Sequence, residues 1–213
     1  MSTKLIYFVR HGETESNAQG VRQGPEGSLT QRGREQALAT AKRFPKQKGS
    51  PQIIFSSPFQ RTKETAEIIG RELNLKIKYL DLLKERKNPT EILGHWSGDR
   101  EVRAITDLID KSYHEDNLRV SDEENFVDLK KRAKKLLSFT KHRWQKRIIM
   151  VTHSRFLKLV VAYMIYGDKL TASQHNNLSY FNKIENAGMA ICSHTSHWFK
   201  KDEWKLIVWN DLD

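Results

Sequence analysis

Three short apolar runs rich in β-branched residues each pass directly into a segment that carries arginine or histidine. Leu5-Ile6-Tyr7-Phe8-Val9 leads into Arg10-His11-Gly12, Ile53-Ile54-Phe55 into Ser56-Ser57-Pro58-Phe59-Gln60-Arg61, and Ile148-Ile149-Met150-Val151 into Thr152-His153-Ser154. Runs of this length and composition are expected to be strands buried on both faces. Between them lie helical patterns. Phe59, Thr62, Ala66, Ile69 and Leu73 recur at 3-4-3-4 spacing, and Phe126, Leu129, Ala133, Leu136, Thr140 and Trp144 repeat that spacing on a longer helix. Phe156, Val160 and Met164 mark a third apolar face, and Ala37, Leu38, Ala41 and Phe44 a fourth. Strands alternating with helices predict a three-layer α/β/α sandwich around a mainly parallel sheet.

The remaining strand signals are weaker. Lys76-Ile77-Lys78-Tyr79-Leu80 alternates as an edge strand does, and Met189-Ala190-Ile191-Cys192 with Leu206-Ile207-Val208-Trp209 reads as a hairpin-like pair. Residues 86–122 are more polar and less regular, and are expected to form an insertion over one end of the sheet. With no repeat or Pro/Gly linker in 213 residues, a single domain spanning 1–213 is the expected organisation.

Composition narrows the function classes. The chain is 38% hydrophobic and 30% charged, which excludes a disordered or collagen-like chain. No apolar run reaches the roughly 20 residues of a spanning helix, and the first apolar stretch is too short for a signal peptide. One cysteine, Cys192, excludes a disulfide framework or thiolate cluster, so the reducing cytoplasm is the expected location. A net charge of +11 attracts anions in general. The basic stretch Lys130-Lys131-Arg132 with Lys134-Lys135, then Arg143, Lys146 and Arg147, is expected to be a solvated face. It matches no nucleic-acid-binding motif, so no nucleic-acid partner is expected. His194-x-x-His197 lacks a third metal ligand nearby and reads as a strand end. Trp198, Trp204 and Trp209 read as core and sheet packing.

In a parallel sheet the C-terminal strand ends share one edge, where open α/β folds bind ligands. That edge would gather Arg10, His11, Arg61 and His153. Two guanidinium forks and two imidazoles around one point suit a phosphoryl group. No thiolate or carboxylate cluster accompanies them, and neither metal nor organic cofactor is expected.

At these residues the sequence resembles the histidine phosphatase superfamily, in the branch containing cofactor-dependent phosphoglycerate mutase. The resemblance begins at Arg10-His11-Gly12-Glu13-Thr14-Glu15-Ser16-Asn17 and continues through Leu29-Thr30 with Gly33 and Gln36-Ala37. It includes Ser56-Ser57-Pro58 with Arg61-Thr62 and Thr65-Ala66, then Leu83-Lys84-Glu85, Glu124 with Arg132, and Val151-Thr152-His153. The resemblance implies that His11 is a nucleophile forming a phosphohistidine, with Arg10, Arg61 and His153 clamping the phosphoryl oxygens. Asn17 would donate a further hydrogen bond and Gln23 would line the pocket. Thr14, Ser56 and Thr152 would shape the surrounding loops. Glu85 would be the general acid, then the base that activates water.

The sequence departs from the family pattern in two places. Arg86-Lys87-Asn88-Pro89-Thr90-Glu91 intervenes before Gly94-His95-Trp96-Ser97-Gly98, which makes Glu91 the reserve candidate for the acid. Ser154-Arg155 follows His153 where glycines are common, so Arg155 either adds charge near the pocket or caps the next helix. The expected activity is metal-independent hydrolysis of a small phosphomonoester, away from any membrane. The alternatives are a phosphoglycerate mutase-type phosphotransferase and a non-catalytic protein binding phosphorylated ligands or nucleic acid. The resemblance implies a longer insertion with paired arginines for the substrate carboxylate in mutases. The stretch between Glu85 and Glu124 is shorter and holds Arg100, Arg103 and Arg119 but no adjacent pair, which favours the hydrolase.

Overall fold

The computed structural model describes residues 2–45, 49–112, 115–199 and 202–212. Six strands, β1 (Ser2–Arg10), β2 (Ile53–Ser56), β3 (Ile77–Tyr79), β4 (Arg147–Thr152), β5 (Met189–Ser196) and β6 (Glu203–Asp211), form one sheet in the order β3-β2-β4-β1-β5-β6. The first four strands of that order run parallel, and β5 and β6 continue the sheet antiparallel. β3 is the edge strand expected from its alternation, and β5 and β6 are the expected pair.

Alternating side chains of the central strands feed two separate cores. Ile6, Phe8, Ile148 and Met150 pack on one face with α5 (Phe126–Lys141) and α6 (Ser154–Tyr166), which contribute Leu129, Leu136, Phe156 and Val160. Tyr7, Val9, Ile149 and Val151 face the other way, toward Ala41 of α2 (Gln31–Lys42) and Ala66 and Ile69 of α3 (Gln60–Leu73). Burial on both faces is why these strands read as unbroken apolar runs. The architecture is the predicted α/β/α sandwich.

Three residues depart from their expected places. Leu38 is 37% exposed, because it sits about 100° around α2 from the Ala37–Ala41 stripe. Trp144 is 75% exposed, because α5 stops at Lys141 and the chain turns toward β4, so helical spacing no longer governs it. Trp198 lies beyond the end of β5 and is 87% exposed, whereas Trp204 and Trp209 do pack against the core. His194 is buried, bonded to Asp202 and stacked on Trp204. Within 86–122 lie a 3₁₀ turn at Thr90–Ile92 and α4 (Arg100–Ser112), whose Val102 and Ile109 are buried. Two further helices, α1 (Glu15–Gln19) and α7 (Ala172–Phe181), stand at the C-terminal edge of the sheet.

The register places that edge. Arg10 pairs with Thr152, and Ser56 with Val151, so three strands end level with one another. The loop after β1 is then pressed against the start of α2. Thr30 caps α2 by accepting from Gly33 N and donates its own N–H to Glu13 O. A Cβ on Gly33 would stand 2.1 Å from Glu13 O, and one on Gly12 would stand 2.3 Å from Gly33 O. Neither neighbour is a flexible side chain, so the backbone itself must move. Gly33→Ala is expected to lower stability by about 1–3 kcal/mol. An unchanged urea midpoint would show that this close approach is not needed.

Candidate active site

Arg10, His11 and the start of α6 meet where the level strand ends open into a cavity of about 460 Å³. Its walls include Arg10, His11, Asn17, Gln23, Arg61 and Glu85. Arg61 reaches it from the first turn of α3, which begins just after β2.

His11 is fully buried, and its two ring nitrogens have unlike partners. Nδ1 lies 2.8 Å from Gly12 O, which only accepts, so Nδ1 carries the proton. Nε2 receives Arg61 Nε–H at 3.2 Å, so it presents a lone pair. Burial holds the His11 pKa well below the ordinary imidazole value, and the charges of Arg61 and Arg10 push it the same way. The ring is neutral, in one tautomer, with its free electron pair directed at a guanidinium.

The guanidinium groups are themselves held by backbone carbonyls. Arg61 Nη1 donates to Gly24 O at 2.8 Å, and Arg10 Nη1 to Ile184 O at 2.7 Å. Burial lowers the Arg61 pKa to about 10, so it stays charged at neutral pH, and Glu85 opposes the shift as the nearby counter-charge. Glu85 is anchored by α6. Its Oε1 accepts from Phe156 N and Arg86 N, each at 2.9 Å, and its Oε2 from Arg155 N at 3.2 Å. A carboxylate on first-turn amides is the favoured arrangement at a helix N-terminus.

His153 lies behind His11 rather than on the cavity wall. Its ring centroid is 5.2 Å from that of His11, its Nε2 is 2.9 Å from Ser57 Oγ, and Nδ1 is buried without a hydrogen-bond partner. Asn17 Oδ1 is occupied by Asn186 Nδ2, so donation into the cavity falls to Asn17 Nδ2. Gln23 Oε1 accepts from Thr14 Oγ1, which also caps α1. Ser56 Oγ donates to Ser57 O and to Thr62 O in the first turn of α3, and Thr152 Oγ1 to Leu83 O just ahead of Glu85. Glu91 is elsewhere. It is exposed, accepts from Ser121 Oγ and does not line the cavity. Among the described residues no group of three His, Cys, Asp or Glu is placed to hold a metal.

Two contributors were not anticipated from the sequence. Asn186 Nδ2 and Ala187 N both donate to His11 O, tying the segment before β5 to the histidine. The other is α7, whose His175, Asn176, Ser179 and Tyr180 line the cavity. Its N-terminal signal was present as Thr171-x-x-Gln174, which forms a reciprocal capping box.

The fold is an α/β sandwich with arginine and histidine gathered at one sheet edge, and comparison with known proteins gives its family. The chain belongs to the histidine phosphatase superfamily (branch 1), which matches residues 6–212. A probable phosphoglycerate mutase of Salmonella paratyphi C is 43% identical over 81 residues, a stretch covering 38% of this chain and 37% of that relative. Among solved structures, a mycobacterial glucosyl-3-phosphoglycerate phosphatase complexed with VO3 is similar at TM-score 0.77 and 23% identity, over 97% of this chain and 98% of the other. A phosphoserine phosphatase of Entamoeba histolytica is similar at TM-score 0.75 and 24% identity, over 98% of each chain. At these identities the structural likeness establishes the fold.

The buried imidazoles make stability depend on pH. Burial, reinforced by neighbouring cations, holds His11 and His153 well below the usual value and His175 at about 3. Below about pH 6.5 the unfolded chain therefore takes up protons that the folded chain refuses. Stability is complete above that pH and falls as pH declines, by up to about 1.4 kcal/mol per pH unit for each histidine. Urea denaturation between about pH 7.5 and 4.5 measures this slope. A flat profile would contradict the neutral, buried assignment.

Proposed function

We propose that this protein is a metal-independent phosphomonoester hydrolase working through a phosphohistidine on His11. The observation that carries the reading is the neutral His11, held in one tautomer with its Nε2 lone pair facing the Arg61 guanidinium. In the proposed cycle His11 Nε2 attacks phosphorus in line and the bond to the leaving oxygen breaks. Glu85, charged in the empty site and taking up a proton as the phosphomonoester binds, gives that oxygen the proton from Oε2, the atom with the longer backbone contact. Water then attacks the phosphohistidine, Glu85 takes its proton, and inorganic phosphate and neutral His11 result. Arg10 and Arg61 offset charge on the equatorial oxygens, the task that falls to metal ions in kinases. Arg10 Nε is a buried atom without a protein partner and suits a tetrahedral oxyanion.

Hydrolysis is favoured over a mutase reaction because Arg100, Arg103 and Arg119 do not line the cavity. Arg119 instead bonds to Glu123 O and Asp128. A small substrate is favoured over nucleic acid because much of the basic face of α5 is engaged internally. Lys130 donates to Asp168 O and Leu170 O, Lys134 pairs with Asp168, and Arg132 pairs with Glu124. The cytoplasm suits a chain whose Cys192 is a buried free thiol.

His11→Ala is expected to abolish turnover of p-nitrophenyl phosphate, while acid-labile, base-stable phosphoenzyme is trapped in the wild type. Activity should survive prolonged EDTA treatment. Substantial turnover by the alanine variant removes the nucleophile assignment, and loss to EDTA restored by a divalent ion removes metal independence. Glu85→Gln should slow phosphoenzyme formation from alkyl phosphates by about 10²–10⁴-fold, and much less from p-nitrophenyl phosphate, whose leaving group scarcely needs a proton. Equal losses on both substrates would leave Glu85 as a helix cap only. Glu91→Gln should leave both rates near wild type.

A further inference from the structure

A second cavity, of about 520 Å³, shares Gln23, Arg61 and Glu85 with the catalytic one. The two therefore meet at the acid and at one arm of the phosphoryl clamp. Beyond that shared wall the second cavity is bounded by the Phe59 ring, Pro25 and Leu93. Phe59 meets the His153 ring edge-on at 5.2 Å, and the Arg61 guanidinium lies 5.1 Å from the same phenyl ring. Phe59 is also the N-cap residue of α3 and makes no side-chain capping bond there. Ser, Thr, Asp or Asn would serve the helix better at that position. The half-buried ring lines the cavity instead.

The chemistry of this space differs from that of the catalytic cavity. Lining groups Asp81 and Lys84 pair with each other at 3.0 Å, Lys87 pairs with Asp122 at 2.8 Å, and Glu124 pairs with Arg132. Those charges have counter-charges already, so the surface left to a ligand is the apolar one of Phe59, Pro25 and Leu93. Such a site gains by removing apolar surface from water. Its wall at 87–93, which overlaps the stretch that departs from the family pattern, is fixed to 122–124. Lys87 O accepts from Glu124 N at 3.0 Å, and Thr90 donates from N and Oγ1 to Asp122 at 2.8 and 2.6 Å. Leu93 lies beside Gly24, the residue whose carbonyl holds Arg61: a Cβ on Gly24 would stand 3.8 Å from Leu93 Cδ1.

We propose that the cavity bounded by Phe59, Pro25 and Leu93 holds a neutral aromatic or branched aliphatic group on the alcohol portion of the substrate. This rests on the reading that His11 takes the phosphoryl group and Glu85 protonates the leaving oxygen. Continuity assigns the occupant. The first carbon of the alcohol is bonded to the oxygen that Glu85 protonates, and Glu85 borders both cavities, so a few further atoms carry the chain from one into the other. Burial of the apolar end then contributes to binding the transition state as well as the substrate. Phe59 and Leu93 act as specificity residues, selecting a phosphomonoester with an apolar end rather than a second charge.

The test compares kcat/KM for propyl phosphate and for phenylpropyl phosphate with the ring on the terminal carbon. Both are primary alkyl esters, so their leaving groups need a proton equally and the ratio reads the ring alone. The phenyl ester should be favoured about 10- to 100-fold, the range expected for burying one aromatic side chain. Leu93→Gln should bring that ratio toward one, whereas Leu93→Met, of similar volume, should keep most of it. General loosening of the site would slow both esters together and leave the ratio standing. A wild-type ratio near one, or a ratio that survives Leu93→Gln, overturns the subsite and leaves the phosphatase reading intact. Tyr180→Ala reports on the other wall, because Tyr180 lines the catalytic cavity from α7. A ratio lost in Tyr180→Ala and retained in Leu93→Gln would put the ring against α7 and overturn the assignment. A wild-type ratio near one, with propylbenzene altering propyl phosphate turnover in the wild type but not in Leu93→Gln, would make the occupant a separate molecule and overturn it too. No turnover of either ester or of p-nitrophenyl phosphate overturns both readings.

Discussion

The structure depends on keeping an uncharged imidazole buried beside two buried guanidinium groups. Cations packed this closely repel one another and lose hydration, so each must be compensated by the fold. Backbone carbonyls carry much of that compensation, with Gly12 O serving His11, Gly24 O serving Arg61 and Ile184 O serving Arg10. Those carbonyls belong to three different loops, so the site exists only when all three are seated. The same environment that disfavours protonation of His11 keeps its Nε2 unprotonated, accepting from Arg61 Nε–H.

Glu85 supplies the missing negative charge, and its position is built from two directions. The first turn of α6 binds the carboxylate, while Arg132 on α5 binds the backbone leading to it. Arg132 donates to Leu82 O and Lys84 O, pairs with Glu124, and lies 3.9 Å over the Phe156 ring. A guanidinium suits this post because its planar fork serves several acceptors while its face stacks on an aromatic ring. The loop before β5 braces the other side. Ala187 adopts φ 57°, a left-handed conformation costing about 1 kcal/mol or more for a residue with a Cβ. Its N–H to His11 O and its carbonyl from Thr40 Oγ1 offset that cost. Backbone strain held at a site by surrounding bonds is a recurring feature of functional loops.

Periodicity made the main strands and helices legible because burial on both faces of a sheet demands apolar runs, and one buried helical face demands 3-4 spacing. The pattern misled where it outran its element. Trp144 continues the spacing of α5 but lies past the helix end, and Leu38 is an apolar residue off the buried stripe. The helix α7 escaped notice because its polar sequence, Ala172-Ser-Gln-His-Asn-Asn-Leu-Ser-Tyr-Phe181, has no continuous apolar face, and only its capping box announced it. In the sequence Glu85 and Glu91 stand six residues apart in one polar, irregular stretch, and no local pattern shows which neighbours each will meet. Tertiary contacts separated them, to α6 for one and to Ser121 for the other.

Local residue chemistry therefore determined the layered fold, the sheet edge on which arginine and histidine would gather, and the family to which the chain is similar. Those features follow from burial patterns and from residues adjacent in the chain. Tertiary structure alone decided the tautomer of His11, the anchoring of Glu85, the withdrawal of His153 behind the wall and the second cavity bounded by Phe59 and Leu93. Each depends on partners distant in sequence, such as Arg61 for His11, Ser57 for His153 and Glu124 for Lys87. Hydrogen bonding is directional and short-ranged, so no periodicity along the chain encodes which of these partners will meet.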